Sequence, residues 1–213
     1  MLGVLLNLLA MAPRRDRTGP DPAGPSDEAL MARFMEGDAR AFEALLGRHK
    51  KPVYHFIYRY VRQKETADEI FQDSLLKLVR AASSYQRGAR FSVWMYTIVR
   101  NTIYDRLRRE RHRRQMRELD RPLVADGSVT LGDTIPGDSP DGEEEARKQE
   151  LQERLAGAVQ ELNPDQREVF LMRQYQGLAF KEIAEVMDCP VNTAKTRMRY
   201  ALESLRRELA EFA

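Results

Sequence analysis

The chain has 213 residues, a formal net charge of +2 and 42% hydrophobic residues, with one cysteine and three histidines. That length permits one large domain or two small ones, and the near-neutral average says little about partners. A single cysteine excludes a disulfide framework or a cysteine-based zinc site within the chain, and His49, His55 and His112 lack metal-ligand spacing.

The first residues, MLGVLLNLLAM, are apolar but too few to span a bilayer. Arg14 and Arg15 come after this run, whereas a signal peptide places its positive charge before it. Residues 1–26 therefore read as an over-extended start or a disordered extension continuing through a Pro/Gly stretch. A weak membrane-docking or partner-docking helix is the other reading, without stable membrane insertion.

Strand signals are nearly absent and helical periodicity dominates. A first helix is expected from 27 to about 35, capped by Ser26 or Asp27, and broken at Gly37-Asp38. A second runs from 39 to about 62, kinked or restarted at Pro52. A third runs from 66 to 82 with Ile70, Leu75, Leu78 and Val79 as its buried stripe. After a loop at 83–90, a fourth begins at Phe91 or Ser92 and continues beyond Arg109, burying Trp94, Ile98 and Ile103. It ends in a basic block, Arg106, Arg108, Arg109, Arg111, Arg113, Arg114 and Arg117, in which Glu110 is the only acid.

The sign then reverses. Residues 118–145 carry Asp120, Asp126, Asp133, Asp138, Asp141 and Glu143 to Glu145, together with Pro122, Pro136, Pro140 and several glycines. This is the composition of a flexible acidic linker. Past it, Asn163-Pro164-Asp165-Gln166 marks a helix start, with Asn at N-cap, Pro at N1 and Gln166 placed to close a capping box. The expected class is all-α. Two small helical domains, 27–117 and 146–213, are joined by the linker.

The segment LAFKEIAEVMDCPVNTAKTRMRYALESLRREL has the form of a helix-turn-helix, whose second helix enters the DNA major groove. Ile183, Ala184 and Met187 share one face of its first helix. Ala194, Met198, Ala201, Leu202 and Leu205 form one stripe of the second. The opposite side presents Asn192, Thr193, Thr196, Arg199 and Tyr200, flanked by Lys195 and Arg197, which can donate to phosphates and base edges.

Three segments in order resemble the bacterial sigma-70 family. Ala67-Asp68-Glu69-Ile70-Phe71-Gln72-Asp73-Ser74-Leu75 is similar to its second conserved region. Phe91-Ser92-Val93-Trp94-Met95-Tyr96-Thr97-Ile98-Val99-Arg100-Asn101 and the arginines after them resemble the part that melts and reads the −10 promoter element. Residues 162–205 resemble the fourth region, which reads the −35 element. The two-domain form, with a linker in place of a third domain, is similar to the extracytoplasmic-function (group 4) sigma factors.

The resemblance implies a promoter-specificity subunit of RNA polymerase, cytoplasmic, without catalytic activity or cofactor. Asp68, Glu69, Gln72 and Asp73 would dock on the β′ clamp helices, with the β flap as a further contact. Tyr85, Arg87, Arg90, Arg100, Asn101, Tyr104, Arg108 and Arg109 would hold −10 DNA. Asn192, Thr193, Lys195, Thr196, Arg197, Arg199 and Tyr200 would hold −35 DNA. Phe91 and Trp94 read as core. The linker would thread near the active-site and RNA-exit channels, and an anti-sigma factor is a further candidate partner.

The sequence also departs from the family pattern. Ala179 stands where the helix-turn-helix usually opens with Ser or Thr, a cap whose loss costs about 1 kcal/mol. Asp188 and Asn192 stand where Gly is usual; both tolerate left-handed geometry, and Asn192 can itself cap the second helix. A response-regulator type of helix-turn-helix protein is the rival reading. It would need a doubly wound α/β receiver ahead of the motif, where this chain reads as helical.

Overall fold

The computed structural model describes residues 24–119 and 142–210. Eight α-helices succeed one another among them: α1 (Asp27–Met35), α2 (Ala39–Val61), α3 (Lys64–Ala81), α4 (Phe91–Leu119), α5 (Gly142–Glu161), α6 (Pro164–Gln174), α7 (Phe180–Val186) and α8 (Val191–Glu208). A 3-10 turn, Ala82–Ser84, comes directly after α3. The all-α class and two-part arrangement are as expected: α1–α4 pack together, and α5–α8 pack together. The ends of the segment read as linker are helical, belonging to α4 and α5. The apolar start and the middle of the acidic stretch lie outside the described residues.

Each helix start has a local cause. Ser26 Oγ accepts from the Ala29 N–H at 3.1 Å and caps α1. Asp38 caps α2 by accepting from Arg40 N at 3.0 Å and Ala41 N at 3.3 Å, and Arg33 holds the same carboxylate at 2.6 Å. Gly37 supplies the left-handed step between the two helices at φ 99°.

Pro52 neither ends nor restarts α2, which is continuous through it. The missing N–H is outweighed by the apolar face on its C-terminal side. Val53, Phe56, Ile57 and Tyr60 are all buried, each side chain contributing roughly 1.5–3 kcal/mol of burial.

The buried stripe of α3 is Ala67, Ile70, Ser74 and Leu78. Val79, assigned to that stripe from sequence, is 46% exposed, and Leu76 beside it is 54% exposed. The register was hidden because a serine occupies a core position. Ser74 is tolerated there because its Oγ donates to Ile70 O at 2.7 Å. On α4, Phe91, Met95, Val99 and Ile103 form the buried line, while Trp94 and Ile98 are only half-buried.

In the second unit, Asn163 Oδ1 accepts from Asp165 N at 3.1 Å and caps α6. The reciprocal bond expected from Gln166 is absent among the described residues. The α5–α6 corner is fastened instead by Arg167, whose guanidinium donates to the carbonyls of Val159, Gln160 and Leu162. Ala179 leaves α7 without a side-chain cap, but the Glu182 carboxylate accepts from Ala179 N at 2.7 Å.

Asp188 holds the left-handed turn between α7 and α8 at φ 49°. Asp188→Gly is expected to raise stability by a few tenths to about 1 kcal/mol, because glycine adopts this geometry without strain. Urea titration of the two proteins checks it, and an unchanged or lower midpoint would contradict the strain argument. α8 begins at Val191 with Pro190 at N-cap, so Asn192 sits in the first turn and is not the cap.

Candidate nucleic-acid and polymerase interfaces

The first candidate surface is the outer side of α3. Glu69 and Gln72 are exposed, and Asp68 and Asp73 are half-buried. Asp68 Oδ1 accepts from the Tyr54 hydroxyl at 2.8 Å. Burial, and then the Asp68 carboxylate, push that phenol up to about 12. Glu69 is met by Arg106 of α4 at 2.5 Å, while Gln72 and Asp73 have no partner among the described residues. Helical spacing carries this acidic side into exposed Leu76 and Val79. The surface is therefore acidic at one end and apolar at the other, a feature the sequence reading missed by placing Val79 in the core.

The second surface is the α3–α4 loop with α4. Arg87 and Arg90 are exposed. Tyr85, assigned by the family resemblance to the residues that hold −10 DNA, is 4% exposed and belongs to the core. Its hydroxyl donates to Ala89 O, and its ring meets the edge of Trp94 with centroids 5.4 Å apart. A tyrosine can be buried in this way because the backbone satisfies its one polar atom. Tyr85 therefore shapes the loop, and the loop's exposed planar groups are guanidinium planes.

Asn101, Arg108, Arg109, Arg111, Arg113 and Arg114 are all exposed along α4. Arg106 departs from them, turned inward between Glu69 and Glu110 at 2.5 and 3.0 Å. Arg100 also departs. Its guanidinium lies 4.7 Å from the Tyr104 ring centroid and forms an ion pair at 3.0 Å with Glu168 of α6. Glu168 is fully buried, and that burial raises its carboxyl above the usual range despite the opposing pull of Arg100.

The two helical units thus meet at α4 and α2. Arg90 reaches Glu182 of α7 at 2.9 Å, and the Tyr96 hydroxyl donates to Gln176 Oε1 at 2.5 Å. Gln160 donates to Arg59 O at 2.8 Å, and the Arg59 guanidinium sits 4.2 Å from the centroid of the Tyr175 ring. The sequence reading missed Glu168 and Glu182, because a carboxylate that pairs across two units leaves no local spacing signal.

The third surface is α8. Ala194, Met198, Ala201 and Leu205 are buried against α5, α6 and α7. Asn192, Lys195, Thr196, Arg199 and Tyr200 are exposed on the other side, with Thr193 half-buried. The Arg199 guanidinium lies 4.4 Å from the Tyr200 ring centroid. Arg197 differs from its neighbours, because it is drawn back to Asp165 at the start of α6 at 2.5 Å. Its position in this structure is that of a strut between helices. Among the described residues no cluster of three His, Cys, Asp or Glu side chains could hold a metal, and no helix is long and apolar enough to cross a membrane.

Comparison with known proteins places two family models on the chain in order. Sigma-70 region 2 matches residues 45–113, and sigma-70, region 4 matches residues 152–205. The RNA polymerase sigma factor CarQ of Myxococcus xanthus is 32% identical over 181 residues, covering 85% of this chain and 96% of CarQ. An ECF RNA polymerase sigma-E factor of Haemophilus influenzae is 29% identical over 86% of this chain and 95% of its own length. Two solved structures share the fold. CnrH in complex with the cytosolic domain of CnrY has a TM-score of 0.64 at 21% identity, covering 88% of this chain and 99% of that one. The sigma factor RpoE in complex with the anti-sigma factor NepR, from Bartonella quintana, has a TM-score of 0.65 at 22% identity, covering 81% and 98%.

Proposed function

The chain belongs to the sigma-70 family of RNA polymerase sigma factors, in its extracytoplasmic-function group, and it directs RNA polymerase to promoters; from that premise we propose which of its surfaces does which part of the work. The α3 face of Asp68, Glu69, Gln72 and Asp73, extended by Leu76 and Val79, docks on the β′ clamp helices, where basic side chains complement it and an apolar patch is desolvated. Arg87, Arg90, Arg100, Asn101, Arg108 and Arg109 hold −10 DNA, with guanidinium planes for unstacked bases and the further arginines for the backbone. Tyr104 acts there beneath Arg100. Residues 27–117 and 146–213 are the two working domains, and 118–145 the connection between them.

In the second domain Lys195, Thr196, Arg199 and Tyr200 face the −35 major groove, and Asn192 and Thr193 lie at the end of the helix that approaches the backbone. The observation that carries this reading is the exposed polar side of α8, opposite a fully buried apolar stripe. A receiver-type regulator is disfavoured by the helices of the first unit, which contain no α/β layer among the described residues. The protein works in the cytoplasm with core polymerase and promoter DNA and performs no catalysis of its own. An anti-sigma factor is proposed as a partner, by analogy with the RpoE relative described in complex with NepR.

Transcription from a promoter library with added core polymerase tests the reading; no promoter-dependent product would defeat it. Arg199→Ala is expected to cost about 1–3 kcal/mol at one −35 position if its contact is to a base. Arg197→Ala should weaken all promoters to a similar, smaller extent through loss of the strut to Asp165. Equal, sequence-independent losses for both variants would remove Arg199 from base reading.

A further inference from the structure

We propose that the apolar start of the chain, residues 1–11, docks in a groove of the first helical unit between α2 and α3. The groove encloses about 320 Å³ of empty space, and its lining is apolar apart from His49 and Lys50. Phe42 and Leu46 border it on α2, Phe71 and Leu75 border it on α3, and all four are half-buried. Phe91 of α4 lies in its floor. Large apolar side chains held half out of water around a hollow mark a place for an apolar partner.

The position of the chain start selects the occupant. Pro25 O accepts from Arg48 at 2.9 Å, and Asp27 meets Arg48 and His49 at 2.7 Å each. His49 itself lines the groove, its ring centroid 5.3 Å from that of Phe91. Residues 25–27 are thus pinned beside the groove, and any chain preceding them starts from there. Residues 12–23 join this point to the apolar run and span up to about 40 Å when extended. That exceeds the whole length of α3, about 27 Å. The tether reaches every part of the groove and presents the run at an effective concentration on the order of mM. A second copy or another apolar partner would have to match that concentration in free solution.

Pattern and size agree with the fit. Leu2, Leu5, Leu6 and Leu9 are spaced as one helix face, with Gly3, Asn7 and Arg14 on another. Wound as a helix, residues 1–11 would cover about 16 Å, against about 12 Å for the α2 border from Phe42 to Lys50. Glu69 and Asp73 lie two positions from Phe71 and Leu75, on the opposite flank of α3, so a docked segment leaves them open.

The test uses the full chain with the photoreactive residue benzoylphenylalanine in place of Leu6. Isotopically light and heavy protein are mixed and irradiated, and the joined peptides are read by mass spectrometry. The expected product joins position 6 to the α2 peptide containing Leu46 or the α3 peptide containing Leu75, light to light and heavy to heavy. Leu5→Asp with Leu9→Asp alters no residue of the helical units. It should lower that yield at least about tenfold while the circular dichroism of the helices is retained. Leu46→Glu, on the groove side, should lower it likewise; if that variant does not fold, the Leu5 and Leu9 pair decides alone.

Joining of light to heavy chains would make a second copy the occupant. Joining only to lipid, with vesicles of phosphatidylcholine and phosphatidylglycerol present, would make it a membrane surface. Either result overturns the proposal. So does a yield on α2 and α3 that Leu5→Asp with Leu9→Asp leaves unchanged, or no joining to these helices at all. None of these outcomes touches the sigma-factor reading, which transcription from the promoter library tests separately.

Discussion

A protein carrying Asp73→Lys and Leu76→Lys is expected to lose core polymerase while melting within a few degrees of the parent. Both side chains stand on the outer side of α3, Leu76 at 54% exposure and Asp73 without a partner among the described residues. Neither supports the core, and lysine is a good helix former. The folded chain should therefore lose no more than about 1 kcal/mol, whereas residues at the centre of an interface are worth about 2 kcal/mol or more each. Asp73→Lys places like charge against the basic partner and Leu76→Lys puts a charge where apolar contact is needed. Together they should reduce competition for core by roughly a thousandfold. Asp68 is the poorer choice for this experiment, since replacing it also removes the hydrogen bond from Tyr54. Undiminished competition by the double variant would move the docking surface elsewhere.

The second large effect concerns promoter opening. Replacing 86–90 by a Gly/Ser segment of equal length, with Tyr85 retained, should leave core binding and −35 contact intact and abolish open complex on duplex DNA. Tyr85 must be kept because it is part of the core, and its loss would confound a binding effect with a folding one. The replaced segment contains Arg87 and Arg90, the exposed planar groups of the loop. Stacking on an unpaired base is worth about 1–3 kcal/mol, so losing two such surfaces removes much of the free energy that offsets strand separation. A pre-melted template should recover only part of the activity, because capture of the bases is lost as well. Permanganate reactivity of promoter thymines measures the outcome; normal reactivity would assign opening to α4, with Arg100 and Asn101 as its residues.

Local chemistry made most of the helices legible in the sequence. Ser26 and Asn163 cap where their type and spacing suggest, and of the stripe read on α8, Ala194, Met198, Ala201 and Leu205 are buried as its period requires while Leu202 is half-buried. The failures have one cause in common: tertiary packing decided what local pattern left open. Ser74 in a core position shifted the apparent face of α3 and concealed the exposure of Val79. Tyr85 looked like a surface ring because its loop is polar, yet Trp94 and a backbone carbonyl make a site for it. Pro52 looked like a break because local propensity opposes it, and the buried residues after it override that propensity. Of the candidate site, the residue types were readable. Which arginine is free and which is held by a carboxylate was not, since Glu168, Glu182 and Asp165 lie on other helices.

α8 packs on α5, α6 and α7 through one apolar stripe, and its exposed side lies away from the contacts of α4 and α2 with the second unit. Under the proposed assignments, promoter choice and clamp docking use surfaces that do not share side chains. Substitutions at Lys195, Thr196 or Arg199 are then expected to redirect the protein to new promoters without retuning the rest of the molecule. A lineage, or a designer building parallel gene circuits, can rewrite that one helix face and keep the same polymerase contacts.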